Sequence, residues 1–353
     1  MKRVGILGLP SSGKSTLFEI LMQGAGADAG SAGAAKSGRE QLGVVKVPDE
    51  RVDQLSALFQ PKKTTYAQIQ FVDTVAAGHG KPGKGVDLFA SVRNCDALLA
   101  VVRDFASDAV PTEGGVDPAR DLRRLDDELV LNDLAIVESR MERIEKELRI
   151  GKKQSEPEHA VLAICRTALE AGRPLRGESL DERQTTMLRG FQLLTRKPLI
   201  VVYNQDEDST RVPADPGPAA LAVRLRALLE REIVGLPAGE RDSYRGELGV
   251  EQDGLSLVIR ACYDLLGLIS FFTVGPDEVR AWTLSRGETA VDAAGEIHTD
   301  LARGFIRAEV SSWESLLEHG GIAGARAKGL LRLEGRDYVV RDGDCLEIRF
   351  NRT

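Results

Sequence analysis

The sequence predicts an α/β domain with a mostly parallel sheet, interrupted by an antiparallel helical arm and followed by a small α+β domain. Three observations carry this reading. First, Gly8-Leu-Pro-Ser-Ser-Gly-Lys-Ser15 stands between a short apolar run, Arg3 to Leu7, and a stretch of helical spacing, Ser15 to Met22. That order is strand, loop, helix. Second, residues 69–73, 97–102 and 198–203 are near-continuous apolar runs, as expected of strands covered on both faces. Third, Val130, Leu134, Val137, Met141, Ile144 and Leu148 recur at alternating steps of four and three, the seam of a coiled coil. Because an apolar strand resumes at Pro198, the helical stretch is an insertion into the α/β domain.

The arm's second helix spans residues 156–171, after a turn rich in Gly, Lys and Gln. A third starts at Ser179, with Glu182 three residues on as a capping box. A further helix covers residues 255–266. From Phe271 the pattern turns to short strands and tight turns: Val279 to Leu284, Asp337 to Val340, the turn Arg341 to Asp344, and a last strand from Leu346 to Phe350. The expected units are residues 1–117 with 197–270, the arm 118–196, and the C-terminal domain 271–353. The Gly-, Ala- and Ser-rich stretch from Gly24 to Ser37 buries too little surface to offset its ordering entropy and reads as a mobile loop.

Composition narrows the class. At 353 residues the chain exceeds one ordinary hydrophobic core. A formal net charge of −7 argues against bulk electrostatic binding to nucleic acid and against a sequence-specific DNA reader. The four cysteines form no C-x-x-C pair, so neither a zinc site nor a disulfide framework is expected. No apolar run approaches the roughly 18 residues of a membrane span, so the chain is read as cytoplasmic, with no membrane partner.

The loop string satisfies G-x-x-x-x-G-K-[ST] in the context its chemistry needs. Gly8 and Gly13 let backbone N–H groups turn inward at phosphates, and the following helix N-terminus adds positive potential. Pro10, Ser11, Ser12 and Thr16 complete the cradle. Lys14 is the catalytic candidate, reaching the β and γ phosphates, and the Ser15 hydroxyl is a ligand for Mg²⁺. Asp73 ends the next apolar strand, where an aspartate holds the same metal. Asn204, Gln205 and Glu207 follow the Pro198 strand at the place of the base-reading N-K-x-D of GTPases. Glu207 replaces the aspartate that pairs with guanine, and Gln205 replaces the lysine that packs along the base, so guanine preference is unsupported.

With these residues the chain resembles the YchF (Obg-like) ATPase family. The supporting strings are Gly8 to Phe18, Gly43-Val-Val45 with Pro48-Asp49, Arg51 to Leu55, and Phe71-Val-Asp73. Further strings are Val279 to Thr283, Ala294-Gly295, Ile297 to Asp300, Gly304 to Ala308, and Tyr338 to Asp344. The resemblance implies a P-loop G domain, a helical arm and a C-terminal β-grasp (TGS) domain. It also implies ATP rather than GTP as ligand and a ribosome-linked role in translation or stress response; the activity expected of the P-loop with its Mg²⁺ is slow hydrolysis of ATP to ADP and phosphate. The partner would be rRNA or a ribosomal protein, met by the arm and the TGS domain. At the arm's tip Arg140, Arg143, Lys146, Arg149, Lys152 and Lys153 outnumber the acidic residues; a solvated helix surface reads as well from the same residues. Two departures bear on turnover. Asp73-Thr-Val-Ala76 stands where the family has D-x-x-G, and only Ser37 offers itself as the threonine of the first switch. A nucleotide-binding scaffold without turnover, or a GTPase, are the alternatives. His298 reads as a structural hydrogen-bonder.

Overall fold

A computed structural model describes residues 1–24, 40–74, 89–111, 114–151, 153–207, 209, 211–213, 215–217, 220–250 and 253–351. The Gly- and Ala-rich stretch with Ser37, the string Val75 to Ala77 and Lys152 lie outside these residues. In chain order the first part runs β1 (Arg3–Leu7), α1 (Lys14–Gly24), β2 (Glu40–Lys46), α2 (Glu50–Phe59), β3 (Lys63–Thr65), β4 (Gln68–Thr74) and β5 (Ala97–Asp104). The arm is α3 (Pro118–Arg149), α4 (Glu156–Glu170) and α5 (Glu182–Leu188). The chain then returns through β6 (Leu199–Gln205), β7 (Ala220–Leu225), α6 (Ala227–Gly235), α7 (Arg241–Glu247) and α8 (Gly254–Leu265). The last part is β8 (Leu268–Thr273), β9 (Glu278–Ser285), α9 (Ala290–Ile297), α10 (Thr299–Arg303), β10 (Phe305–Ser312), α11 (Trp313–Glu318), α12 (Ile322–Ala327), β11 (Arg332–Glu334) and β12 (Asp344–Phe350).

The first sheet has the order β2-β4-β1-β5-β6-β7, parallel except where β2 runs antiparallel to β4. Its β5 and β6 are buried along their whole length, which is why they read as unbroken apolar runs. Alternate residues feed two cores. Leu99, Val101, Ile200 and Val202 pack with Leu17, Ile20 and Leu21 of α1, while Leu98, Ala100, Leu199 and Val201 pack with Leu122, Leu125 and Leu129 of α3.

The arm follows the seam. Val137, Met141 and Ile144 of α3 are buried against Val161, Leu162 and Cys165 of α4. Its root is pinned by Asp133, fully buried, whose carboxylate accepts from the N–H groups of Leu194 and Thr195 at 2.9 and 2.7 Å and from the Thr195 hydroxyl at 2.7 Å. The third arm helix differs from the expected start at Ser179. Its capping box uses Asp181 and Gln184, because Asp181 is the residue that accepts from the Gln184 N–H.

The second sheet has the order β11-β10-β12-β8-β9-β3, with β12 and β8 parallel at its centre. Val339 makes only an isolated bridge, to Thr289, where the sequence suggests a strand. Two elements from the first part of the chain join this sheet and its core. Strand β3, from residues 63–65, pairs with β9, and α2 packs on β9 and α11. Val52 and Leu55 of α2 therefore share one core with Phe272, Val279, Leu316 and Ala325. Arg51 adds a polar weld, reaching Asp49 and, at 2.8 Å, Asp342, which also accepts from the Ser270 N–H at 2.9 Å. The cause is that the connection between β2 and β4 is too long for a hairpin and carries its own amphipathic helix, whose apolar face the second sheet covers.

Two outcomes follow from this packing. A chain ending at Gly267 should unfold at markedly lower temperature than the full protein, since uncovering Val52 and Leu55 alone forfeits about 3–6 kcal/mol; a circular-dichroism melt reads it, and an unchanged midpoint would refute the shared core. Asp133→Ala should cost about 2–4 kcal/mol by stripping acceptors from buried N–H groups, measured as the shift in the urea midpoint.

Candidate functional site

The loop between β1 and α1 is shaped by two residues in left-handed conformation, Ser11 at φ 65° and Gly13 at φ 95°. Gly13 must lack a side chain for a second reason. A Cβ there would lie 2.3 Å from Asn204 Nδ2. That closeness is used: Asn204, at the carboxyl end of β6, donates from Nδ2 to the Ser12 carbonyl at 3.1 Å and accepts at Oδ1 from the Ala227 N–H at 3.1 Å. One amide thus ties the loop to the start of α6. Gly8 is also tight, since a Cβ would sit 2.8 Å from the Val101 carbonyl and 2.6 Å from Ser12 Oγ. Among the described residues the buried Ser12 hydroxyl has no hydrogen-bond partner.

At the head of the loop Lys14 Nζ lies 2.9 Å from Asp73 Oδ1. Burial pushes the Asp73 carboxyl above its ordinary range, and the lysine charge opposes that shift. The Ser15 hydroxyl is exposed at the first turn of α1 and bonds to no described residue. Pro10 and Ser11 are exposed, and Thr16 is half-buried behind them. A hydroxyl and a single carboxylate suit Mg²⁺, which keeps several waters and takes further oxygens from phosphates. Among the described residues there is no cluster of three or more His, Cys, Asp or Glu side chains that would make an all-protein metal cage.

Gln205 and Glu207 diverge from Asn204. Gln205 is buried, its amide nitrogen donating to Asp104 Oδ2 at 2.7 Å and to the Arg211 carbonyl at 3.0 Å. Glu207 is exposed. Gly8 to Thr16, Asp73 and Asn204 therefore converge, whereas Gln205 points into the sheet's edge and Glu207 into solvent. Beside this loop opens a cavity of about 430 Å³ lined by Gln205, Ser209, Arg226, Leu229 and Glu230 among others. Sequence reasoning passed over Asp104 and Arg211. Asp104 sits in an apolar strand, where its charge was the available signal; Arg211 lies in a loop with no pattern. His298 caps α10, accepting from the Asp300 N–H at 3.1 Å, in keeping with a structural part.

Comparison with known proteins decides the family. A chain from Bacillus subtilis (strain 168) named "Ribosome-binding ATPase YchF" is 38% identical over 362 residues, covering 98% of both chains. The chain belongs to the YchF family. The Escherichia coli O157:H7 protein of the same name is likewise 38% identical, over 99% of each chain. Residues 268–351 match the family model YchF-GTPase_C, described as a protein of unknown function (DUF933). A solved structure described as the Schizosaccharomyces pombe YchF GTPase superposes with a TM-score of 0.85 at 29% identity, covering 99% of this chain and 97% of that one. The P-loop α/β fold with its C-terminal sheet domain is thus a YchF architecture, and the names of its relatives differ on the nucleotide.

Lys14→Ala should remove most triphosphate affinity, about 1.5–3 kcal/mol for a charge-assisted contact in a partly desolvated loop. A calorimetric titration checks it, and an unchanged dissociation constant would show that the loop does not hold phosphates.

Proposed function

We propose that this YchF protein binds Mg²⁺-ATP at the Gly8–Thr16 loop, hydrolyses it slowly to ADP and phosphate, and uses the bound state in ribosome-linked work in the cytoplasm. The observation that supports this most is the convergence of Lys14, Asp73 and Asn204 on one loop, with the lysine held against the strand-end carboxylate. Lys14 is poised to exchange Asp73 for the phosphate oxygens. Asp73 and Ser15 are then the protein's donors to the metal, which supplies neutralisation of charge developing on the transferred phosphoryl group. The N–H groups of the loop and of α1 orient the phosphates. ATP is favoured over GTP because Glu207 is one methylene longer than the aspartate that pairs with guanine and because Gln205 stands where a lysine would pack on the base. The relatives named as ribosome-binding ATPases support the same choice and the partner.

The arm and the C-terminal sheet are the proposed partner surfaces, alongside a nucleotide domain at 1–117 and 197–270, an arm at 118–196 and a C-terminal unit at 271–353. At the arm's end Arg140 is spent on Glu158, in two bonds of 2.8 Å, and Glu147 receives the Ser155 hydroxyl. Arg143, Lys146 and Arg149 remain exposed for rRNA phosphates. Among the described residues no helix is long and apolar enough to cross a membrane.

Hydrolysis without a partner is expected well below roughly 1 s⁻¹, the low end of common enzymes. Ala76 replaces the glycine that would swing to the γ-phosphate, and neither Val75 nor Ala77 can orient a water. Single-turnover ATP cleavage by wild type, Ala76→Gly and Lys14→Ala tests this. Phosphate release no faster than Lys14→Ala would favour a scaffold without turnover. Competition of ATP and GTP for one labelled analogue that favours GTP by about tenfold, near 1.4 kcal/mol, would make the protein a GTPase instead. Failure to co-sediment with ribosomes in either nucleotide state would remove the partner.

A further inference from the structure

Near its carboxyl end β5 carries a buried positive charge with no anion beside it. Arg103 is the last residue but one of the strand and is only 4% exposed. Its Nε donates to the Phe105 carbonyl at 3.0 Å, and its guanidinium lies 4.4 Å from the centroid of the Phe105 ring. Among the described residues no carboxylate pairs with it, and its buried Nη1 has no hydrogen-bond partner. The adjacent Asp104 does not serve, because its carboxylate is engaged by Arg211 and Gln205.

Strand alternation sets the side on which this charge lies. Leu99 and Val101 face the core shared with α1, whereas Leu98, Ala100 and Val102 face the core shared with α3, so Arg103 falls on the α1 side. In the pairing of β5 with β6 it stands opposite Asn204, whose amide reaches the Ser12 carbonyl at 3.1 Å. Two residues earlier, Val101 backs the loop itself: a Cβ on Gly8 would meet the Val101 carbonyl at 2.8 Å, the Val101 side chain at 3.5 Å and Ser12 Oγ at 2.6 Å. Arg103 therefore stands on the β5 side of the loop between β1 and α1, near the Ser12 hydroxyl, which is buried and unpartnered among the described residues as well.

A buried cation without an anion is costly, and a fold that keeps one has a use for the charge. We propose that Arg103 is a fixed positive charge behind the phosphate loop, whose counter-ion is the polyphosphate of the bound nucleotide. This rests on the reading that the Gly8–Thr16 loop holds those phosphates. Arg103 acts across the loop's backbone and not by contact, because in the low dielectric behind the loop a charge is felt over several ångströms. Its field adds to that of the N–H groups and of the α1 N-terminus, and Lys14 remains the cation that touches phosphate. The free protein bears the cost of the unpaired charge, and the nucleotide relieves it.

The test is calorimetric titration of the full-length protein with Mg²⁺-ATP and with Mg²⁺-ADP. Arg103→Gln removes the charge and keeps a hydrogen-bond donor. It should weaken ATP by about tenfold and ADP by about threefold, since the attraction scales with ligand charge and the triphosphate complex carries about twice that of the diphosphate. Arg103→Lys, which keeps the charge, should restore both to within about threefold of wild type. The nucleotide-free Arg103→Gln protein should melt no lower than wild type, because removing an uncompensated buried charge does not destabilise. A merely structural role would instead lower the midpoint and weaken both nucleotides by one factor, and equal factors overturn the proposal. Arg103→Met, unbranched and uncharged, is read by the same two factors if Arg103→Gln does not fold. If Lys14→Ala leaves ATP affinity unchanged, the loop reading fails and this inference with it. If Lys14→Ala weakens ATP and Arg103→Gln does not, the loop stands and the role of Arg103 is wrong.

Discussion

The geometry of the candidate site hangs on the side-chain amide of Asn204. Its nitrogen takes the Ser12 carbonyl and its oxygen the Ala227 N–H, so three segments far apart in the chain meet at one group. The contact exists because Gly13 has no Cβ to obstruct it. Once Asn204 is fixed, the loop's N–H groups, the head of α1 and the carboxyl ends of β5 and β6 are placed relative to one another. Asp73 arrives from the other side of β1 and meets Lys14. A buried carboxylate of this kind is tolerable only with a cation beside it, so the lysine has a structural duty before any phosphate is present.

A second constraint governs the relation between the two sheets. The connection from β2 to β4 contributes a helix and a strand to the C-terminal sheet, and the apolar side of that helix is covered there. Docking of the two sheets is thus part of folding and not an optional contact. Since β4 ends in Asp73 and β2 pairs along its length with β4, the same connection leads from the nucleotide edge to the distal domain. The arm is attached on different terms. Its root is anchored by buried hydrogen bonds at Asp133, while its far end is held mainly by a narrow apolar seam and by half-exposed ion pairs such as Arg140–Glu158. Stability should therefore rise from tip to root.

The sequence by itself determined the parts whose physics is local. The P-loop was legible because its glycines, lysine and serine must stand at fixed spacing between a strand and a helix, and the strands and the arm were legible from periodicity alone. Asp73 and Asn204 could be placed because each ends an apolar run. The tertiary structure decided what depends on segments distant in the chain. That β3 and α2 belong to the C-terminal sheet could not be read from residues 50–65, since an amphipathic helix does not state which surface will cover it. That Gln205 turns its nitrogen inward was equally hidden, because the orientation of an amide is set by its neighbours, and here those are Asp104 and the Arg211 carbonyl, which only the folded sheet edge brings together.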